Sequence, residues 1–322
     1  MDLAFLTPLC DRPGPWASVY VDAARLRDST ADERTQESLG MQRALVAAGA
    51  DQATCHAVRM AVDELRHADE PVGRAFFATG GEVVLDPVLS APPPGTSVRW
   101  AALPHTAPLL DLAGEEPLCL VARVDHACAD LTLWPDGPQG AEQHVPLGAA
   151  DGLDLGAAEI AEVLARCQAE TRADLVLLVG DDDTECAAVR ERLARARAEH
   201  VALRAAHEAD LFAAARGRGE EAAEGVPALL DAAREHRIAQ LLIRADGPDA
   251  HRSVWVGAEP DQVGVGPHEP AVLGAREAVP ARADDALMRC AAAAGADAVS
   301  VAGADPAAGP AGGLGALLRW TG

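Results

Sequence analysis

Short runs rich in Val, Ile and Leu alternate along this chain with longer stretches whose apolar residues recur at helical spacing. WASVYVDAA (16 to 24) has the length and β-branched content of a strand. The charged stretch ADERTQESLGMQRALVAAGAD after it predicts a helix ending near Gly49, and ATCHAVRMAVDELR predicts a second. In GRAFFATGGEVVLDPVL, Gly80 and Gly81 stand between two apolar runs, the signature of a hairpin. A further strand, SVRWAAL, follows the proline-rich APPPG. Residues 1–115 therefore predict a mixed α/β domain.

The next segment opens with two apolar strands, PLCLVARV (117 to 124) and ADLTLW (129 to 134), joined at Asp125-His126, with EQHVPL returning beside them as a meander. GAAEIAEVLARCQAE places Ile160, Val163, Leu164 and Cys167 on one helical face and hands over to the strand ADLVLLVG. A helix over TECAAVRERLARARAEH and a strand over VALRA (201 to 205) are expected next. Residues 116–222 thus predict a sheet covered by helices. The alanine-rich EADLFAAARGRGEEAAEG (208 to 225) reads as a last helix or as a linker to a final domain over 223–322. There Pro227 suits a first helical turn, Val226, Leu229, Leu230 and Ala233 share a face, and Ile238 to Ile243 form a strand. ALMRCAAAAGADAVSVAG repeats the helix-to-strand arrangement with Gly295 as the helix cap and a strand over 298 to 301. The fold class expected of the whole is α/β, in three mixed domains.

Composition changes this picture in two ways. Apolar residues make up 49% of the 322 and aromatics only 3%, so the cores must be filled by Leu, Val and Ala rather than by rings. The formal charge is -23 and lysine is absent, which opposes indiscriminate binding to nucleic acid, because phosphate contacts draw their affinity from cationic side chains. From residue 225 onward 12 acids face 8 arginines, a net of -4, so -19 falls before it. Seven cysteines without a C-x-x-C pair predict small buried hydrophobes rather than a zinc site or a disulfide framework. No apolar run reaches the roughly 18 residues a membrane span needs, and no signal start precedes one, so the expectation is a cytoplasmic protein without membrane contact.

Little in the sequence points to catalysis. G-x-x-x-x-G-K-[ST] cannot occur without lysine, and no G-x-G-x-x-G lies between an early strand and its helix. VGDDDTE (179 to 185) sets three carboxylates between a strand and a helix, where they cap the helix or hold a divalent cation. Asp125-His126 reads as a polar turn or as an acid/base pair. No serine has a G-x-S-x-G context. No catalytic residue, cofactor or resident metal is predicted.

Three pieces of the final domain, GVPALLDAAREHRIAQLLI, LMRCAAAAGADAVSVAG and GGLGALLRW, carry a family resemblance. They are similar to the C-terminal domain of the archaeal and eukaryotic peptide-chain release factors and of Pelota, and Leu317, Leu318, Arg319 and Trp320 match its closing segment. PLCLVARVDHACADLTLW resembles the entry into the release-factor middle domain. With a different α/β domain in front, the layout resembles the bacterial branch of that superfamily, the Balon-like ribosome hibernation factors. The resemblance implies an RNase-H-like middle domain and a last domain with the fold of kink-turn-binding ribosomal proteins. It also implies entry into the ribosomal A site, with elongation factor Tu as a second partner. True members of the release-factor group carry a Gly-Gly-Gln loop. The corresponding stretch here is LGAADGLDLGAAEI, and TGGE at 79 to 82 lies in the first domain.

The function expected is therefore that of a non-catalytic, release-factor-like protein acting on ribosomes in dormancy or stress. Arg25, Arg27, Arg43 and Arg59 are the candidates for contact with rRNA. Two other classes stay open. One is an RNA- or tRNA-directed hydrolase using Asp125 or Asp181 to Asp183 with a metal, and the other is an acidic protein-binding scaffold. The oligomeric state is not legible.

Overall fold

The computed structural model describes residues 1–65, 73–113, 117–124, 128–134, 143–146, 157–179, 186–219 and 221–320. It is mixed α/β, with four sheets among the described residues. Residues 1–114 and 205–322 build one compact unit, and residues 115–204 build another.

After α1 (Thr7–Cys10), strand β1 (Trp16–Val21) is buried along its whole length. Its side chains alternate between two cores, as the two-residue repeat of a strand requires. Ala17, Val19 and Val21 face one cluster, with Met41, Leu45, Val58 and Val62 from the helices. Trp16 and Tyr20 face the other. The helices are α2 (Ala23–Asp28), α3 (Ala31–Ala47) and α4 (Gln52–Glu64). Each start is set by a side-chain cap. Asp22 accepts from the Arg25 N–H, Thr30 and Glu33 cap each other at α3, and Asp51 accepts from the Thr54 N–H. Helix α3 is closed just beyond its end by Gly49, whose φ of 94° is costly for a residue with a Cβ.

Strands β2 (Gly73–Thr79) and β3 (Glu82–Leu85) form the expected hairpin, with Thr79 opposite Glu82. Gly80 and Gly81 take φ of 57° and 84°, the two positive values that a tight hairpin turn demands. With β4 (Val88–Leu89) and β5 (Ser97–Ala101) they complete an antiparallel sheet, in which β1 lies between β2 and β5. The short helix α5 (Leu109–Leu112) follows.

The second unit contains the meander anticipated from its short connections. Strands β6 (Cys119–Val124), β7 (Cys128–Trp134) and β8 (Gln143–Pro146) pair antiparallel in succession. Helix α6 (Ala157–Thr171) then leads into β9 (Leu175–Val179), which pairs parallel with β6. The sheet order is β8-β7-β6-β9.

The sequence after β9 departs from expectation. VALRA is not a strand: α7 runs without a break from Cys186 to Arg218. From 186 to 216 the chain has neither Gly nor Pro, and its Ala, Leu, Arg and Glu are strong helix formers, so five residues with one Val do not interrupt it. Ala205, Ala209 and Phe212 follow one another at i, i+4 and i+7 and are buried together, a helical face rather than a strand's. The ambiguous stretch 208 to 225 is accordingly helix as far as Arg218.

The last part of the chain adds β10 (Ala222–Glu224), α8 (Val226–Arg234) and β11 (Ile238–Ile243). A small sheet of β12 (Ser253–Val256), β13 (Val263–Gly264) and β14 (Val279–Arg282) follows, with α9 (Glu269–Val272) between its last two strands. Then come α10 (Ala283–Ala293), β15 (Asp297–Ser300) and β16 (Leu314–Leu318). The main sheet has the order β10-β16-β11-β15, with β15 parallel to β11 and β16 antiparallel to it. The Leu-rich end of the chain is therefore a central strand. Leu229 and Leu230 of α8 and Leu287 of α10 join Leu241, Ile243, Leu314 and Ala316 in one core, which also takes in Leu3, Leu9, Trp16, Tyr20 and Phe77. The other face packs on α7 through Phe212, Leu242 and Val301.

Gly315 is what lets Phe212 sit against β16, because a Cβ there would lie 2.9 Å from the Phe212 ring and 2.8 Å from Pro310 Cβ. Phe212 itself is fully buried. Phe212→Ala is expected to destabilise the protein by about 3–5 kcal/mol, the usual cost of emptying a large aromatic site. Gly315→Val is expected to cost on the order of 1–3 kcal/mol through overpacking. Urea unfolding followed by circular dichroism measures both, and a loss under about 0.5 kcal/mol, the range of ordinary surface substitutions, would show that this contact does not hold the helix to the sheet.

Candidate functional site

The arginines singled out from the sequence all lie on the helices covering the β1 sheet. Arg25 and Arg27 belong to α2, Arg43 to α3 and Arg59 to α4. Arg25 is exposed and donates to the half-buried Glu37, which also accepts from the Thr96 hydroxyl at 2.6 Å. Arg59 lies 4.0 Å from Asp63, one turn on, and its Nε is buried without a hydrogen-bond partner. Arg43 is exposed on the face of α3 opposite Ser38, Met41 and Leu45, and makes no ion pair with another described residue. Residues 23 to 65 hold five arginines against seven acids, so this layer is not a basic face. Of the three arginines with described side chains, Arg43 is the most available to a phosphate.

A second cluster was not foreseen. His105, after β5, meets the first turn of α10, with its Nδ1 2.9 Å from Asp285 Oδ1 and 3.1 Å from Oδ2. Its backbone is fixed from β1. The His105 N–H donates to Ser18 Oγ at 2.9 Å, and Tyr20 donates its hydroxyl to the His105 carbonyl at 2.6 Å. Tyr20 is held in turn edge-on to Phe77, with ring centroids 5.9 Å apart. On the helix side, Arg282 donates its Nε to Asp284 Oδ1 at 2.9 Å, and the Asp285 N–H donates to the same oxygen at 2.8 Å. Both aspartates sit in the first turn of α10, where the helix dipole favours negative charge. Sequence reasoning passed over them because His105 and Asp285 are 180 residues apart.

The environment decides what this cluster can do. Burial pushes the Asp285 carboxyl above the ordinary carboxylate range, partly offset by the hydrogen bond from His105. Burial likewise pushes the Tyr20 hydroxyl well up. His105, Asp284 and Asp285 lie close enough together to hold a metal ion. Arg282 and His105 already occupy the carboxylates, however, so a cation would have to displace two donors. The adjoining cavity, lined by Thr106, Asp285 and Met288, is only about 10 Å³, room for a single water and none for a substrate. The arrangement therefore fits an internal ion-pair joint. Asp111 of α5 is exposed, yet desolvation by its surroundings raises its carboxyl.

Asp125, His126, Asp181 to Asp183 and residues 147 to 156 of the stretch LGAADGLDLGAAEI lie outside the described residues. TGGE at 79 to 82 is the β2–β3 turn, and Glu82 accepts from Arg12 Nη1 at 2.6 Å. Cys55, Cys119 and Cys290 are buried free thiols, and Cys10 and Cys167 are half-buried ones. Burial pushes the Cys290 thiol up to about 12, so it packs as an inert hydrophobe. No described helix is long and apolar enough to cross a membrane.

No protein-family model matches the chain. It is 34% identical over 121 residues to the uncharacterized protein Rv2629 of Mycobacterium tuberculosis strain ATCC 25618 / H37Rv, and equally to the uncharacterized protein MT2704 of strain CDC 1551 / Oshkosh. The match covers 38% of this chain and 32% of each relative, so the chain spans about a third of the length of the curated relatives it matches. Among solved structures it is similar to Pelota of Archaeoglobus fulgidus, at 14% identity over 77% of this chain and 80% of that one, with a TM-score of 0.39. It is similar to Dom34 of S. cerevisiae, a translation termination-like factor that interacts with Hbs1, at 10% identity, 80% and 77% coverage and a TM-score of 0.34. It is also similar to archaeal Pelota in a ribosome-bound model with ABCE1, at 12% identity, 99% and 94% coverage and a TM-score of 0.38.

Removing His105 leaves the buried Asp285 with only Arg282, 3.8 Å away, so His105→Ala is expected to cost on the order of 1–3 kcal/mol. Asp285 also imposes a pH dependence of known sign. Its folded-state pKa is raised, so between the ordinary value of 3.8 and the raised one the native state keeps a proton that the unfolded chain has lost. Its contribution to stability therefore falls as pH rises through that window. Urea midpoints measured upward from pH 4 should carry this downward component in the unmodified protein and lose it in Asp285→Asn. An unchanged pH profile in that variant would rule out the raised carboxyl.

Proposed function

We propose that the protein is a non-catalytic, release-factor-like factor that associates with ribosomes and protects them during hibernation or stress. Its station is the A site, with elongation factor Tu as a second partner. One observation carries the reading most directly. The three C-terminal segments that resemble the release-factor and Pelota C-terminal domain come together in one sheet, with α8 leading into β11, α10 into the parallel β15, and the closing Leu-rich segment inserted between β10 and β11. In the 115–204 unit, a meander joined by a parallel strand is compatible with an RNase-H-like middle domain. The absence of a Gly-Gly-Gln sequence from 147 to 160 supports occupancy rather than peptide release.

In this reading rRNA contact falls to a few arginines, Arg43 first and Arg25, Arg27 and Arg59 around it. Such local contact has to act at short range, against a net charge of -23 that repels phosphate at longer range.

The test is co-sedimentation of the full chain with vacant bacterial ribosomes through a sucrose cushion over a range of salt. Association at low and moderate salt is expected, with the retained fraction lowered several-fold by Arg43→Glu. No association at any salt would overturn the reading. Metal-dependent tRNA cleavage abolished by Asp181→Ala would replace it with the hydrolase reading.

A further inference from the structure

The compact unit formed by residues 1–114 and 205–322 carries a cleft of about 1030 Å³ between the segment around residues 7–16, the end of β5, the loop after β12, and α10. It is distinct from the buried His105 joint, and its volume reaches the upper end of what small-ligand sites enclose. Apolar side chains supply the larger share of its lining, among them Trp100, Leu103 and Val279.

The charges around it are unevenly committed. Arg12 is paired with Glu82 at 2.6 Å, whereas Arg289 donates only to backbone carbonyls and keeps a buried Nε without a partner. Its Nη1 donates to Gly257 and its Nη2 to Glu259, each at 3.1 Å. The lining carboxylates Asp11, Glu259 and Glu277 are exposed and make no ion pair with a described residue. The cleft thus presents a largely apolar lining with three unpaired carboxylates against one unpaired guanidinium, an excess of negative charge. A guanidinium or ammonium entering it finds carboxylates at the rim and the half-buried Trp100 indole on the wall, a surface suited to cations. A phosphate backbone meets three exposed carboxylates against the one unpaired guanidinium of Arg289.

We propose that this cleft docks a basic peptide segment of a protein partner, with an apolar anchor residue in the interior and flanking arginine or lysine side chains on Asp11, Glu259 and Glu277. Charge complementarity selects the occupant, as it sets specificity and encounter rate at protein interfaces generally. The proposal is independent of ribosome association.

Fluorescence anisotropy on the full chain tests it, with three labelled probes: a short peptide alternating arginine and leucine, the same peptide with serine for leucine, and a single-stranded RNA of equal length. Only the arginine–leucine peptide should bind tightly. The double variant Glu259→Arg/Glu277→Arg, at two exposed positions, should weaken it by about tenfold or more. The control Glu64→Arg/Asp210→Arg changes net charge equally, away from the lining residues, and should leave affinity within about twofold. Equal weakening by both double variants would reduce the effect to net charge and overturn the proposal. So would undiminished binding of the serine peptide, tighter binding of the RNA, or no binding of any probe. Ribosome co-sedimentation that persists while these probes fail would leave the proposed function standing without the cleft.

Discussion

Strand β1 is the constraint on which the larger unit depends. Six consecutive buried residues have to find apolar partners on both sides, and only one side is covered by neighbouring helices in sequence. The other side is covered by residues from the N-terminal turns and from the far end of the chain, which belong to the same core as α8, α10 and the main C-terminal sheet. Burying both faces of one strand therefore draws residues 1–114 and 205–322 into a single compact unit. At about 25 cal/mol per Å² of apolar surface removed from water, this shared burial outweighs any single polar contact in the unit.

The His105–Asp285 pair makes that union specific rather than merely sticky. In the cluster Arg282 donates to Asp284 and His105 meets Asp285, so both buried carboxyls have a side-chain partner. Ser18 and Tyr20 place the His105 backbone from β1 itself, so the strand that supplies the burial also sets the position of the polar contact. A displaced docking of α10 would separate Asp285 from His105 while Arg282, at the N-cap of the same helix, stayed with it, and losing one partner of a buried polar contact is costly. The burial supplies the larger share of the free energy, and the pair supplies the penalty against alternatives.

Where elements rest on local signals the sequence was easy to read. The Gly80-Gly81 turn, the strand Ile238–Ile243 and the Pro227 helix start each depend on residues within a few positions of one another. VALRA was misread because five residues with one β-branched side chain look alike in a strand and in a helix, and the face shared by Ala205, Ala209 and Phe212 becomes visible only over three turns. Strand β12 is four residues long and bounded by Arg252 and Gly257, too short for a period to show. The candidate arginines were legible as residue types, but their surroundings were not. Glu37 lies 12 residues from Arg25 and neutralises it by folding, not by sequence proximity. The joint and the cleft are both built from segments more than a hundred residues apart, which no local pattern reports.

Acidity was the main physical objection to a ribosome-associated reading, and its weight depends on which part of the ribosome is met. A chain with 50 acids and 27 arginines is repelled by rRNA phosphate at long range, whatever one exposed arginine does at contact. The same charge attracts basic polypeptide and raises its rate of encounter. The cleft adds an element that bulk charge lacks, because its carboxylates flank a largely apolar lining, so apolar and basic residues can be recognised together. If protein rather than RNA supplies most of the attraction, the net charge of -23 ceases to argue against ribosome association and becomes part of how a partner is chosen.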